Sequence, residues 1–139
     1  RSPMAEAIFA DLVRRSDDPA DWLIDSAGTS AWHIGEPPDR RTVAECKRQG
    51  IAISHRGRQV TEADFVDFDY ILAMDEQNLA NLQALEPDDS QATLALLGDY
   101  DPAGEGEVGD PYYGGPDGFR AIYQQMQRGC AGLLETIRA

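Results

Sequence analysis

Apolar residues recur along this chain with two spacings, one helical and one typical of buried strands. The uninterrupted apolar run 70–74 is the clearest strand, of the kind that both faces of a parallel sheet cover. The longest helical stripe runs from Phe119 to Ile137. The complete pattern predicts five helices, at 3–15, 36–51, 61–65, 79–85 and 119–137, and four strands, at 22–24, 51–54, 70–74 and 92–101.

Two helix starts carry local signals. Ser2 has the chemistry of an N-cap, and Pro3 suits the first helical position, where its missing N–H costs nothing. Thr61 stands three residues before Asp64, a spacing similar to a capping box. We therefore expect the first helix to be capped by Ser2 and a short helix to begin near Thr61.

The order of these elements predicts the fold class. Alternating helices and strands favour an α/β fold with a parallel sheet and helices on both faces. No repeat, linker or change of composition divides residues 1–139, which we take as a single domain. A doubly wound sheet normally begins with a strand and binds its ligand at the carboxyl ends of the strands. Because the first element here is a helix, we expect a strand and a phosphate-binding loop before Arg1, within a doubly wound four-stranded parallel sheet.

Charge and cysteine content narrow the classes of function. The 139 residues include 25 acidic and 12 basic side chains, for a formal net charge of −13. Nucleic acids and anionic membranes both require a basic surface, so we predict binding to neither. No apolar run approaches the ~20 residues of a membrane-spanning helix. Cys46 and Cys130 lack metal-binding spacing and lie in helical patterns, which predicts buried thiols in a reducing, cytoplasmic compartment.

The first three residues have the chemistry of an anion site. Arg1, Ser2 and Pro3 open a helix, where unpaired N–H groups, the helix dipole and a guanidinium all favour a phosphate. Taken alone, the same tripeptide favours a frayed terminus with an N-cap serine. Sequence spacing alone leaves both readings open.

The segment GDPYYGG, residues 109–115, is the second candidate. Asp110 precedes a proline that stiffens the backbone, as suits a general acid that protonates a leaving oxygen. The rings of Tyr112 and Tyr113 suit a wall for a flat substrate group. The alternative is a Pro-Gly turn with two surface tyrosines.

Four further polar residues follow the ends of predicted strands. Each is of a residue type that most often braces a loop through hydrogen bonds. Carboxyl ends of parallel strands meet at one edge of the sheet, so these side chains are expected near the ligand site. They are Ser26, Thr29, His55 and Asp75.

Longer segments of the chain resemble the low-molecular-weight protein tyrosine phosphatase family. The matching segments occur in the family's order and span essentially all 139 residues. They are RSPMAEAIF, DSAGTSAWHIGEPPD, GIAISHRGRQ, FDYILAMDEQNL and GDPYYGGPDGFRAIYQQ. The resemblance implies hydrolysis of phosphotyrosine proteins or small aryl phosphates through a cysteinyl-phosphate intermediate. It implies neither a metal nor a cofactor, and phosphate or a similar oxyanion as inhibitor.

The resemblance also implies a role for each matching position. Arg1 matches a bidentate clamp on the phosphoryl oxygens, and Ser2 matches the residue that hydrogen-bonds the thiolate. Asp110 matches the general acid of the first step and the base of the second. The remaining matches are of two kinds. Trp32, Tyr112 and Tyr113 match the aromatic wall of the entrance, and Ser26, His55 and Asp75 match residues that brace the phosphate loop.

The family's nucleophile is the main departure. Its signature is a cysteine, five residues and then Arg-Ser, and neither Cys46 nor Cys130 precedes an Arg-Ser pair at that spacing. We expect about fifteen further residues before Arg1, the length of a strand and a Cys-x5 loop. The alternatives are a non-catalytic phosphate-binding module and, within the same fold, an arginine phosphatase or an arsenate reductase.

Overall fold

The computed structural model describes residues 1–16, 22–29, 35–55, 57–104, 106–109 and 115–138. In chain order the described residues form five helices and two strands. These are α1 (Ser2–Arg14), α2 (Arg40–Arg48), α3 (Asp64–Asp67), β1 (Tyr70–Ala73), α4 (Glu76–Leu85), β2 (Thr93–Leu96) and α5 (Gly115–Arg138).

The two strands form a parallel pair connected through α4. Tyr70 lies opposite Thr93 and Ala73 opposite Leu96, so the strands are in register along their whole length. Side chains of β1 alternate between the faces of the sheet, as the pleat requires. Tyr70 and Leu72 pack on one face with α1 and α5, whereas Ile71 and Ala73 pack on the other with α4. The predicted α/β class, with a parallel sheet and helices on both faces, is confirmed.

The core lies mainly between α1, α5 and the sheet. Both helices have an apolar stripe that faces the core, and the stripe of α5 extends over four helical turns. The buried side chains of this core include Met4, Ile8, Phe9, Tyr123, Met126, Cys130 and Leu133. Burial of these stripes holds the N-terminus of α1 against the end of β1, where the candidate site lies.

All five helices begin at residues other than those predicted, and the contacts of the first two show why. α1 already includes Ser2, and its N-cap is Arg1, which makes no capping hydrogen bond through its side chain. Pro3 fits there because the first N–H groups of a helix need no intrahelical acceptor. Glu36 and Pro37 each precede a proline, and such residues avoid helical geometry, so α2 begins only at Arg40. Asp39 caps this helix, because its carboxylate accepts a hydrogen bond from the N–H of Arg41 at 2.8 Å.

The strand count is also lower than predicted. The described residues form two strands, because neither 22–24 nor 51–54 joins the sheet. A cavity of about 460 Å³ lies between residues 22–27 and β1. Neighbouring strands must approach to about 4.8 Å to share hydrogen bonds, and residues 22–27 line the same cavity as β1 without pairing with it. Residues 22–29 instead pair with a later segment at an isolated parallel bridge between Gly28 and Gln59.

Within the described ranges, no helix has the length and apolar character that crossing a membrane requires.

Candidate active site

Arg1 connects three parts of the chain at the N-terminus of α1. Its Nη1 donates to Oδ2 of Asp75 at 2.8 Å and to the carbonyl oxygen of Val108 at 2.7 Å. The side chain is 22% exposed, so the guanidinium is fixed but still reaches solvent. A phosphate at this point would meet the guanidinium and the positive end of the helix dipole together.

Asp75 lies directly after β1 and caps α4. Its carboxylate accepts a hydrogen bond from the N–H of Asn78 at 2.7 Å. Partial burial alone would raise the pKa of Asp75, but this N–H and the Arg1 guanidinium outweigh burial and hold the pKa below its usual value. Asp75 is therefore an ionised partner that orients Arg1, at the strand end where the sequence predicted a bracing residue.

Ser26 and His55 meet α1 through Glu6, which the sequence analysis did not single out. Oε1 of Glu6 lies 3.1 Å from Nδ1 of His55 and accepts from the hydroxyl of Ser26 at 2.8 Å. Nε2 of His55 lies 3.4 Å from that hydroxyl. The imidazole is 9% exposed. These contacts fasten the second turn of α1 to residues that lie 20 and 49 positions further along the chain.

A second layer of ion pairs supports this group. Arg58 donates to Oδ2 of Asp25 at 2.8 Å and to both carboxylate oxygens of Asp64, at 2.9 and 3.1 Å. Oxygens of Glu6 and Asp25 and a ring nitrogen of His55 lie within 4.8 Å of one another, a set of groups that could also ligate a metal. Since His55 and Arg58 already contact these carboxylates, contacts within the protein account for the cluster.

Neither cysteine of the chain can act at this site. Cys46 is fully buried, and burial with the adjacent Glu45 carboxylate raises the pKa of its thiol to about 11. Cys130 is 1% exposed and points its thiol at the carbonyl of Ala5, and burial raises its pKa to about 12. A nucleophile needs an accessible thiolate, so both are structural. The prediction of two buried thiols is confirmed.

Some predicted site residues lie outside the described residues, namely Trp32, Asp110, Tyr112 and Tyr113. Ser2 is described, and it begins α1 and lines the cavity beside β1. Thr29 also lines that cavity, and its carbonyl accepts from the Gln59 amide at 3.4 Å. Among the predicted residues, the described structure thus brings Arg1 to Asp75 and Ser26 to His55.

Known proteins match this chain over its whole length. The sequence model of the family described as low molecular weight phosphotyrosine protein phosphatase matches residues 1–139. The Homo sapiens protein of that name is 46% identical over 137 residues, which cover 97% of this chain and 87% of the human protein. The chain belongs to the low molecular weight phosphotyrosine protein phosphatase family.

Solved structures extend the family comparison to the fold. A protein tyrosine phosphatase from Entamoeba histolytica, solved with Hepes in its active site, superposes with a TM-score of 0.94 at 32% identity, covering 99% of this chain and 89% of that one. A Drosophila arginine phosphatase superposes with a TM-score of 0.89 at 38% identity, covering 100% and 91%. The phosphatase fold therefore accommodates both activities, and side chains at the site must distinguish them.

Proposed function

We propose that the protein is a protein tyrosine phosphatase in which Arg1 clamps the phosphoryl group and Asp110 is the general acid. The observation that carries the assignment is the Arg1 guanidinium, oriented by the Asp75 carboxylate 2.8 Å away at the N-terminus of α1. An arginine fork matches the oxygens of a phosphoryl group and stabilises the charge that develops on them.

The reaction divides into two displacements. A cysteine thiolate attacks phosphorus, the bond to the tyrosine oxygen breaks, and Asp110 gives its proton to that oxygen. Water then attacks the cysteinyl-phosphate, Asp110 takes up a proton from it, and phosphate leaves the regenerated thiolate. General acid–base catalysis of this kind contributes about 10²–10⁴-fold, because tyrosine is a poor leaving group unless it is protonated.

The nucleophile that we propose is a cysteine six residues before Arg1, as in the family signature. Burial and the raised pKa values of Cys46 and Cys130 support this position by removing both as candidates. At the N-terminus of α1 the helix dipole and Arg1 would favour a thiolate over a thiol. Ser2 would stabilise the same thiolate through its hydroxyl, and Ser26, His55 and Asp75 would brace the loop that carries it.

The proposed substrates are phosphotyrosine proteins and small aryl phosphates, and phosphate or a similar oxyanion is the proposed inhibitor. Trp32, Tyr112 and Tyr113 would form the aromatic wall around the substrate ring. The Entamoeba relative was solved with Hepes, a sulfonate, in its active site, which is in keeping with an oxyanion site. No metal or cofactor is required, because the helix N-terminus and Arg1 supply the positive field.

A cytoplasmic location is proposed on separate grounds. Both described cysteines are free thiols, as expected in a reducing compartment.

Arginine phosphatase is the competing activity with a specific observation in its favour, the match to the Drosophila enzyme. A comparison of kcat/KM for one peptide phosphorylated on tyrosine or on arginine separates the two. The tyrosine assignment predicts a preference for phosphotyrosine, and a preference for phosphoarginine would overturn it. An arsenate reductase needs accessible redox thiols, which Cys46 and Cys130 are not.

The residue roles are tested with Asp110→Asn and Arg1→Lys in the intact enzyme. Asp117→Asn and Arg120→Lys are matched controls, because both lie on the exposed surface of α5. We expect kcat/KM for a phosphotyrosine peptide to fall by about 100-fold or more in the first pair and to stay unchanged in the controls. Iodoacetate should also abolish activity. Full activity after alkylation would refute the thiolate mechanism, and binding of phosphate without hydrolysis would indicate a non-catalytic module.

A further inference from the structure

The carbonyl of Val108 is a second fixed partner of the Arg1 guanidinium, beside Asp75. It accepts a hydrogen bond from Nη1 of Arg1 at 2.7 Å, and the same Nη1 donates to the Asp75 carboxylate at 2.8 Å. A guanidinium is planar, so two acceptors on one of its nitrogens fix the plane as well as the position of the group. The direction of the Val108 carbonyl therefore helps to set the plane in which Arg1 meets a phosphoryl group.

Val108 is also held on the sides that face away from Arg1. Its N–H donates to the carbonyl of Met74, directly after β1, at 2.7 Å, and its side chain is fully buried. The preceding carbonyl, that of Glu107, accepts a hydrogen bond from Nε2 of Gln125, on α5, at 2.6 Å. The peptide plane between residues 107 and 108 thus has a partner at each polar end, one beside the sheet and one on a helix.

Gln125 is an unusual residue for its place. It is 7% exposed and adjoins the fully buried Met126 in α5. An apolar side chain of similar length would fill the same space without the cost of removing an amide from water. What the glutamine adds is a donor that fixes the Glu107 carbonyl. Without that donor the carbonyl would turn toward another partner, and the backbone that leads into the Val108 carbonyl would turn with it.

We propose that Gln125 is a positioning residue for Arg1, acting through the Glu107 carbonyl and the adjoining Val108 carbonyl that Arg1 contacts. The inference rests on the proposed role of Arg1 as the clamp on the phosphoryl group. Two parallel hydrogen bonds from a guanidinium to phosphoryl oxygens require a defined plane. The Asp75 carboxylate and the Val108 carbonyl set that plane together, and Gln125 holds the backbone that presents the second of them.

The test uses Gln125→Met in the intact enzyme, which keeps the length of the side chain and removes the donor. Gln124→Met is the matched control, because Gln124 is exposed on the same helix. The substrate is p-nitrophenyl phosphate, whose leaving group departs without a proton, so that the rate reports on the clamp rather than on the general acid. Loss of one donor to a developing oxyanion costs about 100- to 1000-fold, and an arginine that is kept but held less well should lose part of that. We expect kcat/KM to fall by about 10-fold in Gln125→Met and by under about twofold in the control.

Arg1→Ala and the double variant show whether the loss passes through Arg1. If it does, Gln125→Met lowers kcat/KM by under about threefold once Arg1 is Ala, against about 10-fold when Arg1 is present. All variants are assayed as protein that unfolds cooperatively in urea, and Gln125→Leu replaces Gln125→Met if that variant does not.

Three results would overturn the positioning role and leave the proposed function intact. They are an unchanged kcat/KM in Gln125→Met, an undiminished loss in the double variant, and a loss that appears with phenyl phosphate, whose leaving group needs a proton, but not with p-nitrophenyl phosphate. If Arg1→Ala itself keeps full activity, the clamp assignment in the proposed function fails, and the role of Gln125 fails with it.

Discussion

The ion pair between Asp101 and Arg128 connects the chain after β2 to the middle of α5. The Asp101 side chain is fully buried and accepts from Nε and Nη2 of Arg128 at 3.0 and 3.2 Å. It also accepts from the N–H of Ala103 at 2.9 Å. The Arg128 hydrogen bonds, acting against burial, hold the pKa of Asp101 below its usual value.

Arg128→Met should therefore destabilise the protein at neutral pH. The substitution leaves a buried carboxylate with the Ala103 N–H as its remaining partner in the described structure. Breaking a buried pair from one side costs about 3–5 kcal/mol. Because Arg128 is 40% exposed, water can reach the vacated side, and we reduce the expected cost to about 1–3 kcal/mol.

Urea unfolding at constant m-value measures the change in the free energy of unfolding, with Arg120→Met, exposed on the same helix, as control. A carboxylate whose folded pKa is lowered stabilises the protein above its unfolded pKa, near 3.8. That contribution disappears as the pH falls through the folded pKa. The difference between wild type and variant should thus shrink below about pH 4. A variant within about 0.5 kcal/mol of the control at pH 7, or a difference independent of pH, would refute the reasoning.

Three further predictions concern tightly packed positions. Gly132→Ala should destabilise the protein by more than about 1 kcal/mol in urea unfolding, since the added Cβ would overlap the Tyr100 carbonyl oxygen; unchanged stability would contradict that packing. Glu45→Gln should keep or raise the melting temperature, because the buried Oε1 of Glu45 has no hydrogen-bond partner in the described structure. A clearly lower melting temperature would show that the charge of Glu45 is needed. Cys46 and Cys130 should react with a thiol reagent only after denaturation, and rapid labelling of either in the native protein, read by peptide mass, would disprove their burial.

Hydrophobic periodicity correctly predicted the elements whose backbone hydrogen bonds are local or made with a neighbour close in sequence. The stripe from Phe119 to Ile137 and the run 70–74 became α5 and β1, because each satisfies its own backbone hydrogen bonds or those of a neighbour close in sequence. The run 22–24 has the same apolar character and does not pair in the described structure. Whether an apolar segment becomes a strand depends on a partner at about 4.8 Å, and single-sequence patterns contain no such information.

The residues of the candidate site also fall into those that local sequence patterns locate and those that they do not. Arg1 stands at a helix start and Asp75 after a strand, and Ser26 and His55 follow short apolar runs, all of which local patterns can locate. Glu6 and Gln125 lie inside helices, and their polar contacts depend on which residues distant in sequence pack against them. A glutamine in a helical stripe has no local signal that separates a hydrogen-bonding role from a solvent-exposed one.

An acidic protein can still present an anion site, because the carboxylates around α1 already have partners within the protein. Asp75 faces Arg1, Glu6 faces His55, and Asp25 faces Arg58. The arginine partners remove much of the field that Asp75 and Asp25 would otherwise project toward a phosphate, because opposite charges at this distance cancel over longer range. The N-terminus of α1 adds the positive end of a 13-residue helix, whose first N–H groups have no acceptor within the helix. The net charge of −13 therefore describes the surface that a substrate approaches, whereas the local pairing determines whether its phosphate can bind.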